Sequence, residues 1–232
     1  VGFMDNDDEL APQALYEVVK SINENPETDF IYSDEDKINE NGVRFDPFFK
    51  PDYSPNLLLG HNYITHFVVV SKQLLDKVGP LRSEFDGSQD YDFVLRATEQ
   101  AVRIHHIPKM LYHWRTLASS VAGDPTSKMY AYEAGKKAIE DHLRRCHTKG
   151  EVLQTENLGF YRVKYPVTGN PLVSILIPNK DQAETLDKCL KSIEKLTDYE
   201  NYEIIIIENN STEEKTFEYY EQICNDKIRV VY

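Results

Sequence analysis

Val173-Ser174-Ile175-Leu176-Ile177, followed by Pro178-Asn179-Lys180-Asp181, decides the fold. An apolar run that breaks into a polar loop reads as a buried strand bounded by a turn. Leu186, Cys189, Leu190 and Ile193 then mark a helix, residues 202–207 are apolar apart from Glu203, Thr212 opens a second helix, and another strand begins at Ile228. That order, β-α-β-α-β, predicts parallel strands joined by right-handed crossovers. Open α/β sheets hold ligands beyond the carboxyl ends of their strands. Two loops leave those ends here, Pro178-Asn179-Lys180-Asp181 and Glu208-Asn209-Asn210-Ser211, and their polar groups suit hydrogen bonds to a nucleoside. No G-x-G-x-x-G and no Walker A lysine loop is present, which disfavours a nicotinamide cofactor or an ATP-cradling P-loop.

Upstream, Pro166-Val167-Thr168-Gly169-Asn170-Pro171 reads as a boundary. Before it the spacing predicts a helix from Ser127, with Met129, Tyr132, Ile139, Leu143 and Cys146 on one side, and then a strand over 158–165.

The chain opens on Val1-Gly2-Phe3-Met4-Asp5-Asn6-Asp7-Asp8-Glu9-Leu10, which reads as a short buried strand breaking into four acids. Carboxylates at about 4 Å repel by roughly 1–4 kcal/mol per pair near a surface, so crowding is costly unless a cation neutralises them. Mg²⁺ or Mn²⁺ takes one or two carboxylates and completes its shell with water and phosphate oxygens, which suits Asp5 and Asp7 as ligands beneath a nucleotide diphosphate. Asp8 and Glu9 are assigned instead to the dipole of a helix beginning at Pro12, whose apolar positions are Leu15, Val18, Val19 and Ile22.

Residues 30–32 read as a strand running into Ser33-Asp34-Glu35-Asp36-Lys37, a cluster expected to be a solvated turn. The aromatic stretch 45–53 is expected to be irregular, and 63–70 a strand flanked by His61 and His66, both expected to be ordinary surface or core histidines. Ser88 caps a helix that places Asp90 in its first turn, where the dipole favours the ionised base. Residues 102–108 and 110–115 read as edge strands, with His113 and Arg115 sharing a face as metal ligand and charge clamp. Residues 116–125, small and polar, are expected to be a flexible lid.

With 232 residues, 41% of them hydrophobic and including 15 Tyr and 10 Phe, the chain can bury a substantial core. A net charge of −13 with no basic patch excludes a nucleic-acid partner. Cys146, Cys189 and Cys224 lack disulfide or metal spacing, which fits a reducing, cytoplasmic compartment, and no run is long enough to span a membrane. The abrupt start and finish lead us to expect a piece of a longer protein.

These stretches together resemble family 2 glycosyltransferases. Met4-Asp5-Asn6-Asp7-Asp8 resembles that family's D-x-D motif, Ser88-Gln89-Asp90-Tyr91-Asp92 its "ED" base motif with Gln89 in place of the acid, and Tyr112-His113-Trp114-Arg115 its H-x-R segment. Residues 173–181 and 204–211 resemble the family's front half, with Glu208 replacing an aspartate. The resemblance implies an α/β, Rossmann-like GT-A architecture in fragmentary or permuted order: 1–125 as the metal and acceptor half of one module, 126–170 as helix, strand and linker, and 171–232 as the nucleotide half of a second. It implies an inverting transfer from a nucleotide-diphospho-sugar to a saccharide or lipid-linked acceptor, with Mn²⁺ or Mg²⁺ on Asp5, Asp7 and His113 and with Asp90 as base. Pro178, Asn179, Asp181, Glu208 and Asn209 would line the nucleotide, and Arg115 the diphosphate. A longer parent leaves room for peripheral membrane association. One expectation is that strand 173–177 pairs beside 1–4 to rebuild a single site. A metal-dependent phosphohydrolase and an inactive saccharide- or nucleotide-binding fragment are the alternatives; an EF-hand is disfavoured because the loop lacks the Gly and the distal Glu.

Overall fold

The computed structural model describes residues 1–116 and 129–232, which divide into two compact units, Val1–Pro166 and Val167–Tyr232. The expected lid falls on 116–125 and, beyond Thr116, lies outside the described residues.

In the first unit a five-stranded sheet runs in the order β1 (Glu9–Leu10), β5 (Ile104–Arg115), β2 (Phe30–Ile38), β3 (Arg44–Phe48), and β4 (Val69–Val70) also pairs with β2. β2 and β5 are parallel from Phe30 opposite Ile104 to Ile38 opposite Arg115; the other pairings are antiparallel. The register slips between Ser33 and Asp34, opposite Pro108 and Lys109, because Pro108 offers no N–H to the ladder. The segment expected as two edge strands is therefore one strand inside the sheet. Helices α1 (Ala14–Glu24), α2 (Pro55–Leu58), α3 (Lys72–Val78), α4 (Gln89–Gln100) and α5 (Met129–Arg145) surround it, followed by the hairpin β6 (Glu151–Gln154) and β7 (Tyr161–Lys164).

Several expectations are corrected here. Residues 1–3 pair with 68–70 through a bridge of Gly2 to Val69 and hydrogen bonds between Val1 and Val70 and from Phe3 N–H to Val68 O, but Val1 and Met4 are exposed, so the opening is a rim and not a buried strand. α1 turns Ala14, Val18 and Ser21 inward and leaves Leu15, Val19 and Ile22 exposed, since the small Ala14 allows close approach to β5. Of residues 63–70 only Val69 and Val70 are strand. The acids of 33–37 lie within β2 and are buried. They remain there because each has a cationic or N–H partner: Asp34 meets His106 Nε2 at 2.8 Å, and Asp36 meets His113 Nδ1 at 2.6 Å and Arg44 Nε at 2.7 Å.

The second unit follows the predicted β-α-β-α-β order. Its parallel sheet is β10 (Ile228–Val231), β9 (Tyr202–Glu208), β8 (Val173–Asn179), with α6 (Ala183–Leu196) and α7 (Glu214–Ile223) as crossovers. Leu186, Leu190, Ile204, Ile206 and Tyr220 form its core. β8 is an edge strand of this sheet, paired with β9 from Val173 opposite Tyr202 to Asn179 opposite Glu208.

Candidate active site

The acidic turn lies just before β1. Asp5, Asp8 and His66 each offer a ligand atom, and these atoms lie within 4.8 Å of one another. Asp5 is exposed, whereas Asp8 is buried, accepting hydrogen bonds from the Tyr112 hydroxyl and, at 2.7 Å, from the Arg115 N–H. Helix α1 starts at Ala14, too far along the chain for Asp8 and Glu9 to complement its dipole, which corrects that assignment. Asp7 is not one of the three, and its backbone carbonyl accepts from Arg115 Nε at 2.6 Å. His113 does not join the cluster either, since its ring is buried with Nδ1 on Asp36. Arg115 pairs with Glu9 and fastens the turn to β5.

No spacing in the sequence marked His66, because its supports come from distant elements. Its Nδ1 lies 3.1 Å from Glu35 Oε2, which also receives the His66 N–H at 3.1 Å and the Thr65 hydroxyl at 2.9 Å. The ring stacks on Tyr112 with centroids 4.5 Å apart and an angle of 8°. A carboxylate on one nitrogen fixes the orientation of a histidine and leaves the other nitrogen for an ion. Lys50, fully buried at its side chain, donates through Nζ to Glu35 at 3.1 Å, to Ile64 O at 2.6 Å, to Thr65 Oγ1 at 3.3 Å and to His66 O, and so pins the same loop. Desolvation pushes Lys50 down to about 8. Desolvation would raise Glu35, but the bond to His66 and the Lys50 charge outweigh it and hold the carboxyl below its usual range.

Asp90 stands in the first turn of α4, and Asn62 Nδ2 donates to its Oδ2 at 3.0 Å. Its side chain is exposed at the surface, yet the protein packed around it disfavours the charge, so its carboxyl is raised. Desolvation is the leading cause and nearby Asp5 adds to it; the Tyr91 N–H and the His66 charge act the other way. Burial therefore overrides the helix dipole that was expected to dominate. Asp92, two residues on, is fully buried and held by Arg82 and Arg96.

In the second unit Asn179, Asp181, Glu208 and Asn209 gather at the carboxyl ends of β8 and β9, with Pro178 in the last turn of β8. The Asn209 N–H donates to Asn179 O at 2.9 Å, and Asn179 Nδ2 to the buried Tyr220 hydroxyl at 2.8 Å. Glu208 accepts from the Ser211 N–H, from Ser211 Oγ at 2.7 Å and from Tyr220 at 2.7 Å. Asp181 Oδ1 receives the N–H groups of Glu213 at 2.8 Å and Thr212 at 2.6 Å, bracing the turn that leads into α7 and holding its carboxyl below the usual range. Tyr220, the member that joins the two loops, was not anticipated; it lies on α7.

Residues 174–232, which carry these two loops, match the model of glycosyl transferase family 2. That stretch is family 2 glycosyltransferase sequence. The chain is 43% identical, over 99% of its length, to an uncharacterized protein, y4gI, of Sinorhizobium fredii, and 40% identical, over 98%, to the O-antigen biosynthesis protein RfbC of Myxococcus xanthus. It is 28% identical over 71% of its length to an uncharacterized glycosyltransferase of Haemophilus influenzae. The chain spans 26%, 18% and 56% of those proteins respectively. Its mixed α/β architecture is GT-A-like, as expected for family 2. Among the described residues no helix is long and apolar enough to cross a membrane.

Proposed function

We propose that this chain serves a family 2 glycosyltransferase that moves a sugar from a nucleotide-diphosphate donor to a saccharide or lipid-linked acceptor, with inversion, in the cytoplasm. The observation that carries the reading is the cluster of Asp5, Asp8 and His66 with the raised carboxyl of Asp90 close enough to feel both Asp5 and His66. In this proposal Val1–Pro166 supplies the metal and acceptor functions and Val167–Tyr232 the nucleotide functions of transferase modules. The 40% identity to RfbC, named for O-antigen biosynthesis, favours a surface polysaccharide as the product.

The donor set fits a divalent ion: two carboxylates and one imidazole whose second nitrogen is already held by Glu35. Mn²⁺ or Mg²⁺ held there would neutralise charge on the departing diphosphate. Asp90 takes the proton from the acceptor hydroxyl as oxygen attacks the anomeric carbon opposite the leaving group, and its raised affinity for a proton suits that task. Asn62 orients the carboxylate, and Arg115 places positive charge beside the turn. Asn179, Asp181, Glu208 and Asn209 form the polar rim for base and ribose.

The test is turnover of a nucleotide-sugar panel with Mn²⁺ by the full polypeptide, with and without Asp90→Asn. Transfer that requires acceptor and is lost in Asp90→Asn supports the proposal. Phosphate release without acceptor points instead to a phosphohydrolase, and ligand binding without turnover to a binding fragment.

A further inference from the structure

The hairpin β6–β7 is fastened to the loop after α2. The Tyr161 N–H donates to Gly60 O at 2.7 Å and the Tyr161 hydroxyl to Tyr132 O at 2.9 Å. Gly60 leaves no space for more: a Cβ there would meet Leu57 O at 3.2 Å. This attachment sets the Phe160 ring on the His61 imidazole, with centroids 4.8 Å apart and an angle of 29°, while Phe160 stays 48% exposed. The residue after His61 is Asn62, which hydrogen-bonds Asp90. An open aromatic face therefore stands one residue along the chain from the group that positions the acceptor base.

A groove of about 380 Å³ opens at the same junction, with Asn56, Gly60, Tyr161, Arg162 and Tyr165 among its walls. Burial pushes the His61 imidazole below its ordinary value. Gly60 and Tyr161, the chain neighbours of His61 and Phe160, belong to that groove, whose walls add amide, guanidinium and phenol groups beside the stacked pair. Sugars are recognised by that combination, in which the C–H face of a pyranose covers an aromatic ring and the hydroxyls find polar partners at the edge. A polyanion is disfavoured on a chain of net charge −13.

We propose that Phe160, stacked on His61, is the platform of a saccharide subsite that holds a neutral pyranose of the acceptor beside Asp90. The proposal rests on the reading of Asp90 as the base. The subsite is tested by saturation-transfer NMR on the full polypeptide, using methyl α-D-mannopyranoside, methyl β-D-galactopyranoside and methyl α-L-rhamnopyranoside as probes. At least one probe is expected to receive saturation at its ring C–H protons. Phe160→Ala should weaken that binding roughly tenfold, and Phe160→Trp should retain it. Because Phe160 is half exposed, both variants should fold, which circular dichroism checks. No saturation of any probe, or binding that Phe160→Ala leaves unchanged, overturns the subsite. Binding that depends on Phe160, together with transfer that survives Asp90→Asn, keeps the subsite and discards the base.

Discussion

Each unit gathers carboxylates in a turn beside a sheet, and what faces them makes the difference. In the second unit Asp181 and Glu208 are answered by local donors, three backbone N–H groups and three hydroxyls, so their charge is stabilised from within. In the first unit Asp8 is answered by the Tyr112 hydroxyl and the Arg115 N–H, but the exposed Asp5 near it works against the charge on Asp90. A carboxylate that accepts several N–H bonds is a structural cap, whereas carboxylates left in mutual repulsion are disposed to take up a cation or a proton.

The largest expected effect breaks this comparison at Asp90. Asp90→Asn should lower transfer by roughly 10²–10⁴-fold, the range for loss of a positioned base. Stability should move the other way. A carboxyl raised in the folded state binds its proton more tightly there than in the unfolded chain, so stability falls as pH climbs from the ordinary value of 3.8 to the raised one, and the penalty persists above it. Removing the charge relieves it. A melting temperature at neutral pH that drops sharply in Asp90→Asn would mean that the residue is structural.

Next in size is Lys50→Met. Lys50 and Glu35 are a buried pair, and removing one partner of such a pair costs about 3–5 kcal/mol. Denaturant unfolding should register that loss in the first unit. Because Lys50 also holds the carbonyls of Ile64 and His66, Mn²⁺ affinity should fall in the fraction that remains folded. Unchanged metal affinity would show that the His66 loop stands without it.

What the sequence disclosed follows the range of the forces involved. The β-α-β-α-β order of the second unit was legible because its strands are continuous apolar runs and its crossovers are local. The pairs Asp34 with His106 and Asp36 with His113 were not, since the partners lie 72 and 77 residues apart and only the parallel pairing of β2 with β5 joins them. A run of acids therefore reads as solvated until its hydrogen-bond partners are located. His66 was missed for the same reason: its partner Glu35 is 31 residues upstream, and no helical or strand period links them. The α1 stripe misled because amphipathic spacing says that one side is apolar, not that this side faces the sheet.

The smaller effects sharpen the second half of the comparison. Tyr220→Phe removes one hydroxyl that both accepts from Asn179 and donates to Glu208, leaving buried polar atoms unanswered at a cost of about 1–3 kcal/mol. Asp181→Asn should do less, and its effect should depend on pH with a defined sign. The folded carboxyl is depressed by the N–H groups of Glu213 and Thr212, so its contribution is present above the ordinary carboxylate value of 3.8 and disappears as pH falls through the lower folded value. The native protein and Asp181→Asn should therefore differ in melting temperature at pH 7 and converge in acid. If they differ equally at both extremes, the carboxylate charge is not what holds the turn before α7, and the contrast between a satisfied cluster and an open one loses its second member.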